Sequence, residues 1–114
     1  MAIDDWFSAS YGEARAKFLA AAKTAGAVQT SYAHPLQGPD GDDLAMDLAY
    51  LGPADAAKVL VTSSGTHGVE GFCGSGCQIG FLQDGLHTEL PDDMALLHVH
   101  AHNPHGFVHE RRVT

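Results

Sequence analysis

Lys58-Val59-Leu60-Val61-Thr62-Ser63, running into Ser64-Gly65-Thr66-His67-Gly68-Val69-Glu70-Gly71, is the stretch on which the fold turns. The first six residues have the continuous β-branched character of a strand buried on both faces. The glycines that follow end the strand, and Phe72 to Gln83 then reads as a helix with Phe72, Ser75, Gly76, Ile79 and Leu82 on one side. Its small residues Gly74, Ser75 and Gly76 predict close packing on a sheet. Gly85 closes the helix, Pro91-Asp92-Asp93 turns the chain, and Met94 to Ala101 supplies a second buried strand. Strand, helix and strand in that order imply a parallel pair with a crossover helix.

Upstream, Ser10-Tyr11-Gly12-Glu13 is a capping box, with a hydroxyl for the free amides and a glutamate to reach back. The alanine-rich run behind it is strongly helical. Ala14, Phe18, Ala21 and Ala25 form its apolar stripe, and Gly26 closes it. Val28 to Ala33 reads as a strand. The turn-forming run Gly38-Pro39-Asp40-Gly41-Asp42 leads to a strand in which Leu44, Met46, Leu48 and Tyr50 alternate with Ala45, Asp47 and Ala49. This is the period of a half-buried strand. Together these two strands predict a hairpin or edge pair. Asn103-Pro104-His105-Gly106 reads as a turn.

The 114 residues make one domain at most. Fourteen Asp plus Glu against six Lys plus Arg give a formal charge of −8, which excludes nucleic acid and anionic membrane as expected partners. No run approaches the roughly 20 apolar residues that span a bilayer. The start, Met1-Ala2-Ile3-Asp4-Asp5-Trp6, is acidic where a secretory signal is basic, so a cytoplasmic location is expected. Cys73 and Cys77 are then expected to be packed, reduced thiols on one side of the helix, with metal binding the second reading.

His67 and Glu70 carry the chemistry. They follow a strand at its carboxyl end, where open α/β sheets place ligands. An imidazole and a carboxylate three positions apart can converge on one ion if the chain turns between them, and Gly65, Gly68 and Gly71 are read as the freedom for that turn. This pair suits zinc at about 2.0–2.2 Å. The bland alternative is a solvated loop. His98, His100 and His102 alternate and so share one face of a strand. They read first as hydrogen-bonding histidines and second as a metal-binding row, with His100 or His102 in reserve as an additional ligand. His105 and His109 are expected at the surface.

Ser63-Ser64-Gly65-Thr66-His67-Gly68-Val69-Glu70-Gly71-Phe72-Cys73-Gly74-Ser75, followed by His100-Ala101-His102-Asn103-Pro104-His105-Gly106-Phe107 and Arg111-Arg112-Val113, resembles a bacterial, metallopeptidase-like branch of the zinc carboxypeptidase superfamily. The resemblance covers almost the whole chain. It implies an α/β fold: a mixed, mainly parallel sheet flanked by helices, the amino-terminal half of a three-layer architecture. It also implies zinc as cofactor, His67 and Glu70 as the first two ligands, and amide or peptide hydrolysis by water activated at the metal. The catalytic arginine, which contacts substrate and steadies the developing oxyanion, falls on Arg112 or Arg111, with Arg112 the first choice.

The same resemblance implies an Asp-Leu-Asn-Arg-Asn-Phe-like segment, a third zinc ligand and a general-base glutamate beyond this stretch. The expectation is therefore a zinc-dependent hydrolase of peptides whose site is incomplete in these residues. A catalytically inactive metal-binding or interaction fragment is the alternative, and an N-acyl amino acid deacylase the second. Leaving out later strands exposes a sheet edge, so a homo-oligomer joined through that edge is expected.

Overall fold

The computed structural model describes residues 2–113; Met1 and Thr114, with the readings that touch them, lie outside the described residues. A 3₁₀ turn at Ile3–Trp6 precedes helix α1 (Tyr11–Ala25), strands β1 (Val28–Ala33), β2 (Ala45–Leu51) and β3 (Lys58–Ser63), helix α2 (Gly71–Gln83), strand β4 (Met94–His100) and the short helix α3 (Pro104–Val108). Ser10 caps α1, its side chain accepting from Glu13 N at 3.2 Å, and Gly26 ends it in the left-handed region at φ 82°. Both follow from the sequence.

The four strands form one mixed sheet in the order β1-β2-β4-β3. β1 pairs with β2 and β2 with β4, both antiparallel, while β3 pairs parallel to β4 across the α2 crossover. The mixed α/β class is the one expected. The weight within it differs, because two of the three ladders are antiparallel: β4 is inserted between the hairpin and β3.

Both long helices cover the same face of the sheet. Phe18, Ala22, Ile79 and Leu82 close over Ala49 and Leu96 in the main core. A second cluster joins Tyr11 and Ala14 of α1 to Leu44, Ala101 and Phe107, and so ties the start of α1 to α3. Tyr11 strengthens that tie, its hydroxyl donating to Ala45 O at 3.0 Å and accepting from Ala45 N at 2.9 Å. The small residues of α2 are explained by close approach. A Cβ on Gly76 would lie 2.2 Å from the Phe7 ring, and one on Gly80 2.4 Å from Trp6.

In β2 the expected period of two is present: Ala45, Asp47 and Ala49 are buried, while Met46, Leu48 and Tyr50 are half-exposed. On β2 the small residues lie on the face beneath the helices and the larger ones on the open face. β3, expected to be buried on both faces, is an edge strand with Val59 and Val61 exposed. Val28 and Tyr32 extend that uncovered apolar face across β1.

The buried carboxylate under the helices is paired. Asp47, fully buried, accepts from Arg15 Nε at 2.7 Å and Nη2 at 3.2 Å, and from the Ser31 hydroxyl. Breaking a buried pair by removing one partner costs about 3–5 kcal/mol. Asp47→Ala is therefore expected to lower the free energy of urea unfolding by about 3 kcal/mol or more, with Arg15→Ala losing less because the Arg15 side chain is partly exposed.

His98 and His100 are also buried, with His98 paired to Thr62 Oγ1 and His100 Nε2 2.8 Å from Ser75 Oγ. The His100 ring stacks on Phe18 at 4.5 Å. Burial pushes both imidazoles down from 6.5 to about 4. The folded state thus favours the neutral rings, and the unfolded chain takes up protons first as pH falls. Stability is expected to be full above pH 6.5 and to fall as pH drops to 4, by on the order of 3 kcal/mol for each ring. Urea unfolding at pH 7, 5.5 and 4 reads this directly. His98→Gln and His100→Asn should each flatten the slope; an unchanged slope would refute the assignment.

Candidate functional site

The ends of β3 and β4 are stitched together by backbone and hydroxyl contacts. Ser64 N donates to Val99 O at 3.0 Å, Ser64 Oγ accepts from Ala101 N at 3.1 Å, and Ser64 O accepts from His102 N at 2.8 Å. Asn103 N then donates to Gly65 O at 2.9 Å. Gly65 at φ 67° and Ala101 at φ 58° both take the left-handed region, so the two chains turn sharply away together at the sheet end. A buried alanine in that region is uncommon, and the packed surroundings hold it there.

After these turns, His67 caps a 3₁₀ turn over Gly68–Glu70, which runs straight into α2. His67 is half-buried and Glu70 is exposed. The Glu70 carboxylate stands at the amino end of α2, where the helix's partial positive charge favours an anion. Gly68 and Gly71 are required for proximity rather than for unusual dihedrals. A Cβ on Gly68 would lie 2.0 Å from the Gly106 carbonyl carbon, and one on Gly71 2.3 Å from the Phe107 ring. The sequence reading had assigned them conformational freedom, and of the three glycines only Gly65 uses it.

Asn103-Pro104-His105-Gly106, read as a turn, is the amino end of α3, with the Asn103 side chain accepting from Gly106 N at 3.0 Å. This helix wedges beneath the His67–Glu70 segment and returns the chain to it. Arg111 N donates to Gly106 O at 2.8 Å. Val69 N donates to Arg111 O at 3.0 Å, and Gly68 N to Arg112 O at 3.2 Å. The backbone of both arginines is thus held against the turn between His67 and Glu70, and both residues are exposed.

A cleft of about 410 Å³ opens here, lined by Ser63, Thr66, His67, Glu70, Cys73 and Gly74 among others. His67 and Glu70 therefore share one concavity at the carboxyl end of β3. His102 is exposed beside it, with Nδ1 3.5 Å from Thr66 Oγ1. His100 does not line the cleft; it lies under Phe18, paired with Ser75. Among the described residues, no three His, Cys, Asp or Glu side chains are grouped so as to hold a metal ion. The geometry brings together a nitrogen and an oxygen donor, two of the ligands a zinc centre needs.

Cys73, expected to be packed, is exposed and borders this cleft; Cys77 is exposed one turn further on, and both are free thiols. The edge position of β3 leaves that side of α2 uncovered. The i, i+3 spacing from Glu70 was the signal that could have placed Cys73 here. His105 and His109 meet at 4.4 Å with their rings tilted, and His34 stacks on His105 at 5.7 Å, so these rings form a half-buried cluster rather than separate surface groups.

No helix among the described residues is long and apolar enough to cross a membrane. No curated protein matches the chain. Two solved structures of glutaminyl cyclase from Porphyromonas gingivalis are similar. One has a TM-score of 0.44 and 17% identity over 84% of this chain and 45% of that chain; the other has 0.46 and 14% over 84% and 48%. The chain thus spans less than half the length of either. A family model described as protein of unknown function (DUF2817) matches residues 7–114, the sheet, both long helices and the whole cleft, and the chain belongs to that family.

Proposed function

We propose that the chain contributes His67 and Glu70 to the zinc centre of a hydrolase that cleaves an amide bond. What supports this reading is the shared cleft: an imidazole and a carboxylate at the end of β3, fixed by a turn that neither Gly68 nor Gly71 could make with a side chain. Zinc held by these donors would supply Lewis acidity toward water and an amide carbonyl. His102, beside Thr66, or a residue outside this stretch would be the third protein ligand. Arg112 and Arg111 would meet the substrate, since their carbonyls anchor to the turn while their side chains extend into solvent. A guanidinium there offers a planar fork of donors to a carboxylate or to charge developing on the carbonyl oxygen. The substrate class is a peptide or an N-acyl amino acid, both of which present an amide next to a carboxylate.

The test is zinc binding by the purified chain beside His67→Ala and Glu70→Ala. Stoichiometric zinc weakened about a hundredfold by either substitution is the expected outcome. Zinc that is absent, or indifferent to both, would remove the site.

The uncovered sheet favours a second reading, an interaction module. Val59 and Val61 on the β3 edge strand, with Val28 and Tyr32, leave apolar surface in solvent, and an unpaired edge is a template for another strand. The occupant proposed is a second copy joined through β3 about a twofold axis. Sedimentation velocity should show a concentration-dependent dimer that Val61→Lys shifts to monomer with the helical circular dichroism unchanged. A parent chain that stays monomeric at about 100 μM, some 5–6 kcal/mol of association free energy, would exclude it.

A further inference from the structure

Cys73 and Cys77 stand four residues apart on α2 and face the same side, where the Cβ atoms of such a pair are about 5–6 Å apart. Both are exposed and free. Cys73 opens onto the His67–Glu70 cleft, and Cys77 onto a neighbouring cavity of about 200 Å³ beneath β3, which Gly74 also borders.

This spacing discriminates between the things two thiols can do. A disulfide needs Cβ atoms about 3.5–4.5 Å apart and sulfurs about 2.05 Å apart, closer than an undistorted helical turn brings them. A cation bound linearly between two sulfurs needs them about 4.6 Å apart, twice a metal–sulfur bond of about 2.3 Å, which one helical turn allows. A reactive redox pair would also be expected beside a cation that lowers its pKa. Gly71–Gln83 contains no Lys, Arg or His, and partial burial with the adjacent Cys73 sulfur raises the Cys77 thiol above its ordinary value. No third His, Cys, Asp or Glu among the described residues joins the pair in a metal-binding group. This suits a two-coordinate ion and leaves tetrahedral zinc short of ligands.

We propose that Cys73 and Cys77 form a two-thiolate site for one soft, linearly coordinated cation, Cu(I), one helical turn from the His67–Glu70 pair. Thiolate sulfur selects Cu(I) over the harder ions that imidazole and carboxylate take. Binding forms two copper–sulfur bonds and releases both thiol protons to solvent, with no change of oxidation state. The site rests on the cysteine spacing and not on the zinc reading.

The test is an anaerobic titration of the reduced chain with Cu(I) against a chromophoric Cu(I) chelator. One equivalent per chain is expected, with thiolate-to-copper absorption in the ultraviolet. Cys73→Ser and Cys77→Ser should each lose about a hundredfold or more in affinity, because the second contact is intramolecular in the parent. The His67→Ala, Glu70→Ala double variant should bind Cu(I) as the parent does, which separates this site from the zinc centre. Single serine variants that compete as well as the parent would overturn it, as would two coppers per chain or a copper-linked dimer in sedimentation. X-ray absorption of the copper-loaded parent, which needs no variant, should find two sulfur neighbours; nitrogen or oxygen neighbours would also overturn it.

Discussion

No side chain fits between Gly68 and the backbone of Gly106 and Phe107, and the arrangement of the cleft depends on that contact. With the two segments pressed together, Gly68 N and Val69 N reach the carbonyls of Arg112 and Arg111, so the amides in front of α2 are satisfied by the chain that follows α3. The Phe107 ring then fills the space beside Gly71 and packs edge-on against Tyr11 at 5.3 Å. One close approach thereby links the start of α1, the entry to α2 and the arginine pair. His67 and Glu70 lie on either side of it. Their separation is set by packed backbone rather than by loop flexibility, as preorganised donors require.

How much of this was legible in the sequence varies with what each feature depends on. Local chemistry was readable: the Ser10 cap, the Gly26 stop, the crossover helix after β3 and the alternation of β2 all appear where their residues predict. Which face of a strand is covered was not, because alternation defines two faces without saying where the helices lie. Met46, Leu48 and Tyr50 are the larger apolar residues, yet α1 packs over the other face and Ala45 and Ala49 are the buried ones. The histidine row shows the same limit. His98 and His100 do share one face, and that face is the covered one, so they become neutral partners of Thr62 and Ser75. His102 escapes because the chain turns at Ala101.

The site divides similarly. His67 and Glu70 could be picked out from their position after a strand and among glycines. The placement of the arginines could not, since it runs through main-chain carbonyls that any residue could provide. The exposure of Cys73 and Cys77 could not either, because it follows from β3 being the edge strand, a property of strand order. One consequence is a helix face with Glu70, Cys73 and Cys77 in successive turns. The side chains change along it from carboxylate to thiol, that is, from a hard donor type to a soft one.

The open edge and the cleft are parts of one problem. Ser63 ends β3 and also lines the cavity that holds His67 and Glu70, so a strand laid along β3 would finish beside the cleft. The apolar face next to it, with Val28 69% and Val61 57% exposed, leaves the sheet covered on one side only. A chain of this length already has little interior relative to its surface, and covering those residues would gain roughly 25 cal/mol for each Å² of apolar area withdrawn from water. Burial of the edge would also exclude solvent from one wall of the cleft that His67 and Glu70 line, where charges then act more strongly. The uncovered edge and the cleft thus lie on the same side of the molecule.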